Sequence, residues 1–167
     1  MILRAEPIDP SRYAPFGAVV RAGAGPARAA NHGTAAAWDA LAVLENLRGD
    51  RARATASLYR CRPLDGSRLA VRWLERHPRS TQLFVPMRPC RYLVVVASGG
   101  AEPDLGTLAA FVIEGAQAVT YAPGTWHHPM VALGEETDFV NVLFADGSAE
   151  DCDERSFEPP AAEVVLP

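Results

Sequence analysis

The chain has 167 residues, 49% hydrophobic and 22% charged, with a formal charge of −4 and a pI near 5.5. That length and composition suit one globular domain with its own core. They exclude a membrane-spanning helix, for which no apolar run approaches the ~20 residues required, and give no basic stripe for nucleic acid. All sixteen cationic residues are arginines and none is lysine. Schiff-base chemistry, pyridoxal phosphate attachment and a Walker-type lysine are therefore excluded. Neither a nucleotide nor a pyridoxal phosphate cofactor is expected, and an anionic substrate must be held by arginine, histidine or backbone amides.

In chain order, Met1 to Pro7 lacks the basic-then-apolar layout of a signal peptide, so the cytoplasm is the expected compartment. Ala22 to Ala37 is rich in Gly and Ala and reads as a loop feeding a helix. Thr34 is the expected N-cap, Trp38, Leu41, Leu44 and Leu47 recur at helical spacing, and Gly49 is the stop. Residues 1–50 are thus read as an N-terminal arm and helix. From Ala54 the texture changes to short apolar runs broken by Pro and Gly. Thr55–Arg60, Leu69–His77, Gln82–Met87, Tyr92–Ala97, Leu108–Ile113, Ala118–Ala122, Met130–Leu133 and Asp138–Phe144 read as strands. So many short strands at near-regular spacing predict a mainly β barrel or sandwich over 54–145, with one or two short peripheral helices. Residues 146–167, acidic and proline-containing, read as a C-terminal tail. Cys61, Cys90 and Cys152 are odd in number and far apart, which fits reduced thiols rather than a disulfide or thiolate-zinc framework.

Two short stretches hold three of the four histidines: Leu74-Glu75-Arg76-His77-Pro78, running on to Gln82, and Gly124-Thr125-Trp126-His127-His128-Pro129. Side chains alternate along a strand, so Leu69, Val71, Trp73, Glu75 and His77 are expected on one face, marked as interior by its first three members. Arg72 and Arg76 then take the other face. A rim salt bridge between Glu75 and an arginine is the plainer reading of the same residues. In the second stretch His127 and His128 fall on opposite faces, so one of them can meet His77. Converging histidines and a carboxylate suit acid–base chemistry or a metal.

The pattern Glu75-x-His77-x4-Gln82, with Gly124-x2-His127, resembles the cupin barrel, whose metal-binding form carries His-x-His-x4-Glu and Gly-x2-His. The resemblance implies a cupin-type jelly roll, with Glu75, His77, Gln82 and His127 as the ligand set if a divalent transition metal is bound. Within the cupins, the chain is similar to the ureidoglycolate lyase family, long called ureidoglycolate hydrolase. The likeness rests on Leu74-Glu75-Arg76-His77-Pro78 with Ser80, Thr81 and Gln82, then Phe84-Val85-Pro86-Met87 and Tyr92–Ala97. It extends through Pro103-Asp104-Leu105, Ala110-Phe111, Trp126-His127-His128-Pro129, Thr137-Asp138-Phe139 and Cys152-Asp153. More weakly it includes Tyr13-x-Pro15-Phe16-Gly17 and Asn31-x-Gly33.

That resemblance implies a homodimeric carbon–nitrogen lyase that eliminates urea from ureidoglycolate, leaving glyoxylate, late in allantoin and purine breakdown. One group must take the hydroxyl proton and another must protonate the departing nitrogen. His77 is the implied base, tuned by Glu75, and His127 or a metal-bound water the acid. Gln82 and Ser80 would orient the ureido amide, with Arg76, Trp126 and His128 as further substrate-binding residues. Arg91 is a second candidate for the carboxylate. The chain departs from the family where Ala122 and Pro123 replace a histidine and a basic residue. It departs again where Leu143-Phe144 replaces Asp-Arg, and where Ala37 or Trp38 stands in place of an arginine. Two other functions share the pattern: a cupin enzyme on another small polar metabolite, and a non-catalytic small-molecule-binding cupin.

Overall fold

Strand-forming runs of four to nine residues dominate the chain, and in the computed structural model, which describes residues 1–167, each of them pairs. The N-terminal part supplies β1 (Ile2–Arg4), β2 (Glu6–Pro7), the single α-helical turn α1 (Pro10–Tyr13), β3 (Val19–Val20), β4 (Arg28–Ala30) and β5 (Ala35–Ala37). Next come β6 (Arg53–Cys61), β7 (Arg68–Val71), β8 (Trp73–Arg76), β9 (Gln82–Pro86) and β10 (Cys90–Ala97). They are followed by β11 (Ala109–Gly115), β12 (Ala118–Tyr121), β13 (Trp126–His127), β14 (Val131–Leu133) and β15 (Thr137–Ala145). The chain closes with β16 (Asp153–Ser156) and β17 (Ala162–Val165).

One sheet runs β16-β8-β13-β10-β11-β2, with β14 also on β10; the other runs β3-β12-β9-β15-β6. From β8 to β15 the chain passes back and forth between these two sheets, which is the jelly-roll arrangement expected. A third sheet, β1-β17-β7, covers the back of the first. Strand β10 is apolar on both sides because both sides are covered. Tyr92, Val94 and Val96 face a core with Phe84, Phe111, Ile113, Val119, Tyr121 and Phe139 between the two large sheets. Leu93, Val95 and Ala97 face a second core with Val71, Leu74, Trp126 and Val164.

The α1 turn packs against the core between the two large sheets. Asp9 caps it by accepting from the Ser11 and Arg12 amides, Pro10 occupies its first turn, and Tyr13 and Phe16 enter the barrel core. Gly17 packs so closely on β12 that a Cβ would stand 1.9 Å from the Thr120 carbonyl oxygen.

Three expectations are corrected. The helix expected from Thr34 to Leu47 does not form: Ala35–Ala37 is a strand paired with Arg28–Ala30, and irregular chain follows. Only half of its apolar stripe is covered, Trp38 and Leu41 being half-buried and Leu44 and Leu47 exposed, and the backbone bonds elsewhere: Leu47 N–H donates to the Arg79 carbonyl and Thr81 N–H to that of Glu45. The single strand expected over Leu69–His77 breaks at Arg72, its halves joining different sheets. Val71 and Leu74 are therefore both buried, three residues apart, and Trp73 is exposed. The C-terminal segment is no loose tail: β16 pairs with β8, and β17 lies between β1 and β7.

Candidate active site

Glu75 on β8 and His127 on β13 stand directly opposite one another in register. His77 follows the end of β8, and the Gly124 amide donates to its carbonyl at 2.9 Å, tying the second histidine turn to the first. The Glu75 carboxylate lies 3.3 Å from His127 Nε2, and the His77 and His127 rings are 5.7 Å apart between centroids. Glu75, His77 and His127 each present a ligand-type atom within 4.8 Å of the others.

The backbone sets both ring orientations. His77 Nδ1 is 2.8 Å from the Asp151 carbonyl oxygen and His127 Nδ1 is 2.9 Å from that of Thr125. A carbonyl can only accept, so each Nδ1 carries the hydrogen and each Nε2 turns toward the cluster. Both Nε2 atoms are buried and without a hydrogen-bond partner. A bare imidazole lone pair 3.3 Å from a carboxylate is repulsive, so a proton or a cation belongs between His127 and Glu75.

Burial alone would raise the Glu75 pKa, but the imidazoles of His127, His77 and His128 outweigh it and hold the carboxyl below its ordinary value. Burial, then His127, pushes the His77 imidazole below its ordinary value, against the pull of the Asp151 carbonyl and Glu75. The site at neutral pH thus combines an ionised carboxylate with a neutral, unpartnered imidazole.

Tyr121 forms one wall, its ring stacked on His127 at 3.9 Å, with its buried hydroxyl unpartnered. Gln82 is opposite Tyr121 across the β9–β12 ladder and shares its face; its Oε1 is also buried and unpartnered. His128 is buried with Nδ1 on the Pro129 carbonyl, close enough to couple to Glu75 and His127. Cys152 approaches Glu75 from just before β16, and burial with that carboxylate pushes its thiol up to about 12.

Four residues expected to bind substrate, Arg76, Trp126, Ser80 and Arg91, are not brought to the cluster. Arg76 bonds Asp153 and the Gly100 carbonyl and stacks at 5.0 Å on Trp126, which belongs to the second core on the opposite face from His127. The Ser80 hydroxyl donates to the Thr81 carbonyl and accepts from the Phe144 amide. Arg91, on the same β10 strand as the core residues, pairs with Glu114 at the surface. Glu75 forms no rim salt bridge with an arginine; the group facing its carboxylate is His127 Nε2, at 3.3 Å. Sequence reading missed Tyr121 and the carbonyls of Thr125 and Asp151. Only the alternation of Val119 and Tyr121 beside Pro123 pointed to the first, and nothing in residue identity points to a carbonyl.

A family model described as ureidoglycolate lyase matches residues 1–164. A ureidoglycolate lyase of Pseudomonas fluorescens is 34% identical over 162 residues, covering 97% of this chain and 95% of that protein. One of Azotobacter vinelandii is 36% identical over 157 residues, covering 93% and 92%. Among solved structures, RmlC from Streptococcus suis in complex with dTDP-D-xylose aligns with a TM-score of 0.38 at 13% identity, over 59% of this chain and 46% of that one. With a family match along nearly its whole length and relatives above 30% identity end to end, the chain belongs to the ureidoglycolate lyase family of carbon–nitrogen lyases.

Proposed function

We propose that Glu75, His77 and His127 carry out the family's reaction in this chain, eliminating urea from ureidoglycolate to leave glyoxylate. The observation that supports this most is the pair of buried, unpartnered Nε2 atoms converging beside one carboxylate. In this reading His77 Nε2 removes the carbinol hydroxyl proton. The O–H electrons become the C=O bond of glyoxylate, and the C–N electrons leave with urea. His127 returns a proton to that nitrogen from its ion pair with Glu75. The Gln82 amide serves the ureido group, whose donors and acceptors call for a neutral polar partner. His128 and the Tyr121 hydroxyl complete the pocket, and Tyr121 also excludes water from one face of His127.

The same three side chains fit a divalent transition metal, since both imidazoles are held through Nδ1 with Nε2 free, the form a ligand histidine takes. A bound ion would act as a Lewis acid toward the substrate oxygens. The wider reading is a homodimeric, cytoplasmic enzyme of purine nitrogen recovery. Strand β6 supports the dimer: it pairs on one side with β15, leaves its other edge free, and exposes Leu58 and Tyr59. The three unpaired cysteines suit a reducing compartment.

Release of urea and glyoxylate from ureidoglycolate by the wild-type protein, lost in folded His77→Ala and His127→Ala, is the expected result. No turnover by the folded wild type would overturn the substrate assignment.

A further inference from the structure

Arg48 lies far from the site in sequence, yet one residue, Asp151, joins its side chain to His77. Its side chain is 2% exposed, and Nη1 pairs with Asp151 at 2.5 Å and Asp146 at 2.6 Å. The carboxylate of Asp151 also accepts from the Asp146 and Gly147 amides, at 3.2 and 2.7 Å, so that it closes the loop after β15. The main-chain carbonyl of the same Asp151 is the one that fixes His77 Nδ1.

Arg48 is itself delivered by a strap. The Glu45 amide donates to Thr81 Oγ1, the Thr81 amide to the Glu45 carbonyl, and the Leu47 amide to the Arg79 carbonyl. Asn46 Oδ1 then accepts from the Arg48 amide. The strap therefore clamps the segment between His77 and Gln82 on one side, while its arginine clamps the Asp151 loop on the other. A buried guanidinium in such a place is costly unless its bonds are needed there.

We propose that Arg48 and Asp151 are positioning residues for His77: their ion pair holds the Asp151 carbonyl where it selects the Nδ1–H tautomer and turns Nε2 to the substrate. This rests on the catalytic role given to His77 above, and its test has a readout independent of turnover. With four histidines in the chain, long-range 1H–15N spectra of the imidazole rings resolve the tautomer of His77, recorded at pH 8 with and without prior EDTA treatment. Wild type is expected to show a single Nδ1–H form. Arg48→Met and Asp151→Asn are expected to show mixed tautomers at His77, with His127 unchanged because its partner is Thr125. Urea release should then fall at least tenfold in kcat with KM changed less than threefold, and Arg48→Lys should recover part of the loss. Arg48→Lys also serves if Arg48→Met fails to fold. A folded Arg48→Met or Asp151→Asn with the His77 tautomer unchanged would overturn the proposal. If the wild type turns over no ureidoglycolate, the substrate assignment fails, and the ring spectra still decide the positioning role.

Discussion

At the residue scale, two kinds of buried group make different predictions. His77 is neutral because burial and His127 disfavour its charge. His77→Gln, which keeps the ring's polarity but cannot take a proton, should lower kcat by about 10²–10⁴, the usual worth of a positioned acid or base. Glu75→Gln should fall in the same range, because it removes the carboxylate that stands 3.3 Å from His127 Nε2. In wild type, activity should decline on the acid side only below pH ~6.5, the ordinary imidazole value, since His77 titrates beneath it. A half-maximum above that value would contradict His77 as the base. Tyr121 behaves otherwise. Its buried hydroxyl has no protein partner, so Tyr121→Phe should leave stability unchanged or higher by up to about 1 kcal/mol while KM for ureidoglycolate rises. Thermal melts and steady-state kinetics on that one variant separate the two effects.

At the scale of elements, the strands were legible and the helices were not. Seven of the eight apolar runs expected from Ala54 onward pair as single strands, and the eighth, Leu69–His77, pairs as two. The Trp38–Leu47 stripe misled because helical periodicity predicts a helix only when its whole face has something to pack on, and here Leu44 and Leu47 face solvent. The one true α-turn had a signal in Asp9-Pro10, a cap followed by proline, that the lack of any periodic stripe concealed. The alternation placing Glu75 beside His77 survives the break at Arg72, because the break lies upstream of both. The same break makes Trp73 an exposed residue rather than the marker of an interior face. Gly17 is fixed by contact: Gly17→Ala should cost about 1–3 kcal/mol in urea unfolding, since the Thr120 carbonyl is backbone and cannot yield freely. On β6, Leu58→Glu should shift a dimer toward monomer in sedimentation, and an unchanged dimer would move the contact off that edge.

At the scale of the molecule, stability is linked to the same titrating groups. His77 and His128 both have folded pKa values below the ordinary imidazole value, so the unfolded chain binds more protons as pH falls. Their contribution is fully present above pH ~6.5 and is lost as pH falls from there through the folded values. Unfolding free energy should therefore drop between pH 7 and 5, by at most about 1.4 kcal/mol per pH unit for each histidine. Glu75, lowered as well, adds a loss in the same direction at more acid pH. His77→Gln should flatten the slope, and an unaltered slope would contradict burial as the cause of the shift. Leu143 lies in register with Gln82 on β9, and Phe144 serves through its amide, which Ser80 Oγ accepts. What the sequence could not show is the set of main-chain carbonyls and the strap from Glu45 to Arg48, because both depend on long-range folding rather than on residue type.

A crystal structure with glyoxylate bound tests most directly whether the reaction takes place among Glu75, His77 and His127. The expected result is the hydrated aldehyde of the product with one hydroxyl donating to His77 Nε2 within about 3.5 Å, and its carboxylate near Gln82 and Tyr121. Glyoxylate bound instead in the outer cleft of Arg60, Arg88 and Glu136, with the histidine cluster unchanged, would contradict it.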